Sequence, residues 1–417
     1  MNDFLAELRS GWRDLLGATV GLGCGVGCYT PVSSLFFRAL EHDFGWSRSA
    51  AAVSLIAMPL TALVLPGTGW LIDRFGARLV ALLSSLLLSL CFFGLSTIHG
   101  SLPAFYAWTL ALNTLGVATG PISYTRVVAR QFQRARGAAL SLALVGIAAA
   151  AVVLPVVLVG VMARANWRGG YGLLSGIAFC GGFFAFGCIE RRSEPRRSDI
   201  NPISVERDLR ALAGSRAFWL IGLAILCVSA GSIGLVSQFQ SLLVEKGVTP
   251  TRSAWLLSLL AGSVAASRLL VGRALDGGAP RRVAALTLFA AALGAALLLG
   301  KPHDDLIVAG VLLFGLSIGA ELDLLSFFCA RAFGLRRFGF AYGLLSVFFY
   351  FGTFAGGLAY SGLHDRTGDY ELALMASGVM FVAAAGLFHL IPEAQSATLA
   401  ETPGAAGGLT LGPLEQP

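Results

Sequence analysis

Long apolar runs, broken at short intervals by charged, glycine or proline residues, set the frame of this chain. A helix needs about 20 apolar residues to cross a bilayer. Runs of that size recur near 14–38, 49–72, 79–98, 103–128, 137–163, 170–189, 217–243, 253–275, 283–300, 306–329, 339–362 and 371–391. The pattern predicts an all-α membrane protein of twelve transmembrane helices. The opening stretch "MNDFLAELRSGWRDLLGATVGLGCG" mixes acidic with basic residues and has no small-residue cleavage site, so its apolar run reads as a retained helix rather than a signal peptide. The longest polar interruption, "RRSEPRRSDINPISVERDLRALAGSR", divides the runs six and six. The expected organisation is an N-terminal half over 1–189, a linker over 190–216, a C-terminal half over 217–392 and a disordered tail over 393–417, rich in Gly, Ala, Thr and Pro.

Composition agrees with the pattern: 56% hydrophobic and 13% charged residues over 417 positions exclude an ordinary soluble protein. The net charge of +7 would point a soluble chain toward nucleic acid, but here the placement of Lys and Arg decides. With the N-terminus inside, the inner segments hold 19 arginines and the outer ones 8 basic residues. The bias predicts cytoplasmic termini, a lipid-bilayer environment and no nucleic-acid partner. The seven cysteines fall mostly in apolar runs, where they read as buried thiols; Cys24 and Cys28 have no His or carboxylate neighbours suited to a metal. No metal or cofactor is expected.

The two halves repeat. "GWLIDRFGARLV" and "GRALDGGAPRRV" share Gly69, Asp73, Arg78 and Gly272, Asp276, Arg281 at an offset of 203. "RQFQRARG" and "RAFGLRRFG" pair Arg130 and Phe132 with Arg331 and Phe333 at 201. A duplicated six-helix unit, two pseudo-symmetric halves, is an architecture of secondary transporters. Glycine permits close helix approach. An aspartate at a helix end can accept from backbone donors of another helix start and from a nearby arginine, making a latch present in one conformation and absent in another.

"GWLIDRFGARLV" resembles the signature loop of the major facilitator superfamily, and the likeness runs along nearly the whole chain. Within it, "FGWSRS", "FQRARGAALSLALVG", "GAELDLL", "RAFGLRRFGFAYG" and "DRTGDY" are similar to the monocarboxylate transporters and their bacterial relatives, including oxalate/formate exchangers. The resemblance implies the major facilitator fold, no enzymatic activity, a monomer in a bacterial inner membrane, and a small organic anion carried with protons. It also implies that Asp73 meets the start of the eleventh helix near Phe338 to Tyr342 in the outward-facing state, with Arg78 completing the charge pair.

One charge stands out. Arg268 lies deep in "LLSLLAGSVAASRLLVGRAL", where a central charge costs about 2.5–3.5 kcal/mol on insertion scales. It should face a partner or an aqueous path. The resemblance gives this position the role of binding the substrate carboxylate, which a planar guanidinium fork can pair bidentately at any physiological pH. Similar proteins carry an aspartate four residues earlier, where this chain has Val264, and a lysine in the first helix, where "YTPVSSLFF" has no charge. Glu321 and Asp323, near the middle of the tenth run, are the replacements: either carries the coupling proton or serves as a fixed counter-ion to Arg268. Arg126 reads as an arginine of the inner interfacial belt, with transient substrate contact as the alternative. Tyr29, Tyr124, Gln238, Gln240, Phe348 and Phe349 are candidate cavity liners.

Proton-coupled uptake of a monocarboxylate by alternating access is the expected function. Efflux of drugs or metabolites is the alternative on the same fold, although the fifth run has Pro155 without a paired Gly-Pro pattern. An intramembrane enzyme or sensor is the alternative of another class, disfavoured because all five histidines lie near run ends or loops. No ATP-binding loop of the G-x-x-x-x-G-K-[ST] type occurs.

Overall fold

The computed structural model describes residues 2–29, 32–46, 57–190, 209–300, 302–335 and 338–392. Most of the linker (191–208), the tail from 393, the start of the second run, Lys301, Arg336, Arg337 and the side chain of Gln240 lie outside the described residues. The chain is helical throughout the described residues, with no strand.

The N-terminal half contains α1 (Asn2–Gly23), α2 (Ser33–Phe44), α3 (Ala57–Phe75), α4 (Ala77–Ser96), α5 (Leu102–Leu115), α6 (Pro121–Gln131) and α7 (Arg136–Cys188). The C-terminal half contains α8 (Arg216–Glu245), α9 (Pro250–Leu275), α10 (Pro280–Leu297), α11 (Asp304–Phe333), α12 (Phe338–Thr367) and α13 (Glu371–His389). Eight of these helices are long and apolar enough to cross a membrane. One of the eight, α7, holds two spans: it breaks at Ala165 (φ −127°, ψ 18°) and Asn166 (φ 53°, ψ −171°), and its second arm returns beside α1. Asn166 tolerates the positive φ, and its side-chain oxygen accepts from the Arg168 N–H at 2.9 Å.

Two of the remaining spans are not continuous helices. The first breaks after Gly23 into a 3₁₀ turn, Val26–Cys28, and the fourth breaks between α5 and α6 into another, Val117–Thr119. The breaks face each other, and the Val26 N–H donates to Thr119 Oγ1 at 2.8 Å. Backbone freed inside a membrane must find such a partner within the protein. The glycines of "GLGCGVG" and "GVATGP" mark both breaks in the sequence.

The two halves meet at the end of the bundle where α1 begins and α13 finishes, called here the junction end. A single buried apolar cluster crosses from Leu65, Val127 and Leu140 to Leu325, Ala341 and Leu345. A second cluster, centred on Tyr29, Phe36, Phe92, Trp167 and Tyr171, belongs to the N-terminal half alone.

Candidate functional site

Helix pairing sets the site. Ser263 and Ser267, one turn apart on α9, donate to the Leu312 and Leu316 carbonyls of α11 at 2.6 and 2.8 Å. Gly315 and Gly319 on α11 leave no room for a side chain against those serines, so the two helices lie close. This register carries Arg268, next after Ser267, alongside Glu321 and Asp323. All three are buried, at 8, 2 and 1% exposure. Arg268 Nη1 lies 3.9 Å from Asp323 Oδ1, within ion-pair reach but outside hydrogen-bond distance.

The cluster is under-satisfied. Arg268 Nη1, Glu321 Oε1 and both Asp323 carboxylate oxygens have no hydrogen-bond partner among the described residues. Asp323 sits at the seam between the halves, with Ser141 of α7 and Tyr342 of α12 as electrostatic neighbours, while Glu321 neighbours Ser229 of α8. Both acids neighbour Arg268, from different sides of α11, as their two-residue spacing requires. Buried polar groups in native structures are almost always paired, and unpaired ones mark sites with work to do.

Just toward the junction end from this cluster lie the repeated Gly-Asp elements. Asp73, at the end of α3, accepts from the Gly339 and Phe340 N–H groups at the start of α12, at 3.1 and 2.8 Å. Asp276, at the end of α9, accepts from the Gly137 and Ala138 N–H groups at the start of α7, at 2.6 and 2.9 Å. Each contact joins one half to the other. The close approach that makes them is glycine-dependent on both sides. A Cβ on Gly339 would sit 2.7 Å from the Gly69 carbonyl oxygen, and one on Gly272 would sit 2.7 Å from that of Gly137. Within the N-terminal half, the Glu7 carboxylate accepts from the Gln133, Arg134 and Ala135 N–H groups just before α7.

Two sequence expectations are corrected here. Arg78 does not complete the Asp73 pair: its Nε donates to the Phe186 carbonyl at 2.8 Å and its guanidinium lies 4.0 Å over the Phe186 ring, because the first turn of α4 faces the end of α7. Arg126 takes that place. Its Nη1 stands 3.0 Å from Asp73 Oδ1 and donates to the Ile72 carbonyl at 2.6 Å. At 5% exposure it is a buried junction residue, not a member of an interfacial belt. Arg281, the counterpart of Arg78, lines a cavity beside α10.

The proposed liners are dispersed. Tyr29 bonds the Tyr171 hydroxyl at 3.2 Å within the N-terminal aromatic cluster. Tyr124 is buried against Gly21 of α1. Gln238 donates to Ser361 and accepts from Tyr370 within the C-terminal half. Phe348 packs edge-on against Phe218 and Trp219, and Phe349 against Tyr350. Sequence reasoning missed the part played by Arg126 and the backbone donor Gly137, while Gly339 falls within the expected segment Phe338 to Tyr342. The signal was present, since the two glycines follow basic residues in both halves at an offset of 202.

Comparison with known proteins agrees with this architecture. The family model described as Major Facilitator Superfamily matches residues 15–357. Monocarboxylate transporter 11 of Homo sapiens is 24% identical over 406 residues, covering 92% of this chain and 83% of that protein. The E. coli fucose:proton symporter FucP superimposes with a TM-score of 0.72 at 15% identity, over 90% of this chain and 98% of that one. The human organic anion transporter MFSD10 gives 0.73 at 16% identity, over 90% and 99%. A bacterial homologue of the iron transporter ferroportin, in an outward-facing state, gives 0.71 at 18% identity, over 90% and 97%. Twelve membrane helices in two six-helix halves, joined through a repeated Gly-Asp element, make this chain a transporter rather than an enzyme, and it belongs to the Major Facilitator Superfamily.

Proposed function

We propose that this protein takes up an organic monocarboxylate together with a proton, by alternating access, as a monomer in a bacterial inner membrane with both termini in the cytoplasm. The observation that carries the reading is the buried cluster of Arg268, Asp323 and Glu321, with hydrogen-bonding capacity left unused at the seam between the halves. A substrate carboxylate is a fitting partner for the guanidinium, and it competes with Asp323 for it. Protonation of Asp323 removes the competitor, so a proton and an anion load together. The similarity to a relative named as a monocarboxylate transporter supports the substrate class, and the excess of arginine at the junction end supports a cytoplasmic placement of that end. The junction contacts hold the cytoplasmic side shut in this arrangement, which corresponds to an outward-facing state.

The test is uptake of labelled monocarboxylates into proteoliposomes, with and without an imposed pH gradient. An inside-alkaline gradient should accelerate uptake. Arg268→Lys keeps the charge but loses the bidentate fork, and should weaken substrate binding at least about tenfold while the protein still folds. Unchanged uptake by Arg268→Lys would remove the assignment, and gradient-driven export would favour efflux.

A further inference from the structure

At the junction end of the C-terminal half lies a cavity of about 390 Å³. Its walls bear Arg281 and Arg282 from the first turn of α10, Arg331 from the last turn of α11 and His389 from the end of α13, over an apolar floor that includes Phe328 and Ile391. No acidic residue lines it among the described residues. The start of α10 also faces it without a side-chain cap, adding the partial positive charge of a helix N-terminus.

The duplication shows that the fold does not require this cavity. Subtracting the repeat offset of 203 takes Arg281 to Arg78. In the N-terminal half that arginine is packed against the end of α7, with the Phe186 ring under its guanidinium and the Phe186 carbonyl accepting from Nε. In the C-terminal half Arg281 instead lines a basic cavity.

We propose that this cavity is a binding site for a phosphate-bearing anion. Three arginines and a histidine converge from three helix ends, an arrangement suited to several acceptor oxygens on one compact group. The cavity lies at the ends of membrane helices, and basic pockets of this kind between helices recognise anionic lipid headgroups. The apolar floor is compatible with a glycerol backbone. The proposal stands independently of the transported substrate.

The experiment measures the thermal stability of the purified full-length protein against three probes: dioctanoyl phosphatidylglycerol, inorganic phosphate, and dioctanoylglycerol, which lacks the phosphate. Stabilisation by the phospholipid alone identifies a lipid site, and stabilisation by phosphate as well identifies a site for the free anion. Arg282→Gln and Arg331→Gln should each weaken the apparent affinity about fivefold. His389→Phe, which replaces the imidazole in the cavity wall with a bulkier apolar ring without removing an arginine, should abolish the response. Arg13→Gln, at the same end but outside the cavity, should leave it intact. Melting of each variant without probe separates loss of binding from loss of fold. No stabilisation by either phosphate compound, an equal response to dioctanoylglycerol, or a full response in His389→Phe would overturn the proposal.

Discussion

Arg268 and Asp323 stand 3.9 Å apart, close enough to attract and too far to hydrogen-bond, which is the geometry of a pair that has room to exchange partners. If Asp323 is the proton carrier, Asp323→Asn should abolish acceleration of uptake by a pH gradient while leaving counterflow exchange of substrate. Glu321→Gln should leave the gradient response in place, since Glu321 neighbours Ser229 on the far side of α11 from Asp323. The reverse pattern would transfer the role to Glu321. A different carboxylate gives a stability test away from the membrane core. Asp43 accepts from Trp167 Nε1 at 2.6 Å, and that bond, with a second from His42, holds its carboxyl below the usual carboxylate range. A group with a lowered pKa stabilises the fold above its ordinary value and loses that contribution as pH falls through the lowered one. Asp43→Ala should therefore lower the melting temperature slightly at neutral pH, by no more than about 2 °C for so exposed a side chain. The difference from wild type should close in strong acid; a gap that persists there would assign the effect to packing.

At the scale of elements, the junction is built twice from the same parts: a glycine-spaced helix end, an aspartate, and the first backbone N–H groups of a helix from the other half. A charge-assisted hydrogen bond of this kind contributes about 1.5–3 kcal/mol. Because the bond exists only while the junction is shut, its loss moves the equilibrium between states. Asp73→Asn should shift the population toward an open junction about tenfold. Arg126→Gln should do the same and Arg78→Gln should not, since Arg126 holds Asp73 while Arg78 is committed to Phe186. The reporter is Ser141→Cys in a background without native cysteines, fully buried against Gly272 in this state. Unchanged labelling in Asp73→Asn would mean that the aspartate only caps a turn, and equal effects of Arg126→Gln and Arg78→Gln would remove the distinction drawn between them.

At the scale of the molecule, the two junction contacts join different helix pairs, α3 with α12 and α9 with α7, yet both oppose the same separation of halves. If the halves move as rigid bodies, independent contacts should add in free energy. Asp73→Asn combined with Asp276→Asn should then open the junction by about the product of the single effects, on the order of a hundredfold. A double variant no more open than either single would show that the halves do not separate as units.

Apolar runs, charge bias and the repeated Gly-Asp spacing determined the twelve spans, the six-plus-six division and the positions of the junction residues, because each of these follows from local chemistry: a helix must be apolar to lie in lipid, and a duplicated unit carries its signature at a constant offset. The anomaly of Arg268 was equally legible, as a charge where lipid allows none. What the linear order could not settle was partnership. Arg78 is close to Asp73 in sequence and Arg126 is distant, yet the packing of α4 against the end of α7 turned the near one away and left the distant one to pair. Glu321 and Asp323 are two residues apart, and the register of α11 on α9, set by Ser263 and Ser267, decided which of them stands at ion-pair distance from Arg268. The tyrosines and glutamines proposed as liners carried no pattern that distinguishes packing from exposure, since either is compatible with an amphipathic side chain inside a helical bundle. The facing breaks of the first and fourth spans were written in glycines, but their mutual hydrogen bond exists only because the fold brings residues 26 and 119 together. Side-chain pairing across distant segments is a property of how helices pack, and the sequence encodes it only through the whole.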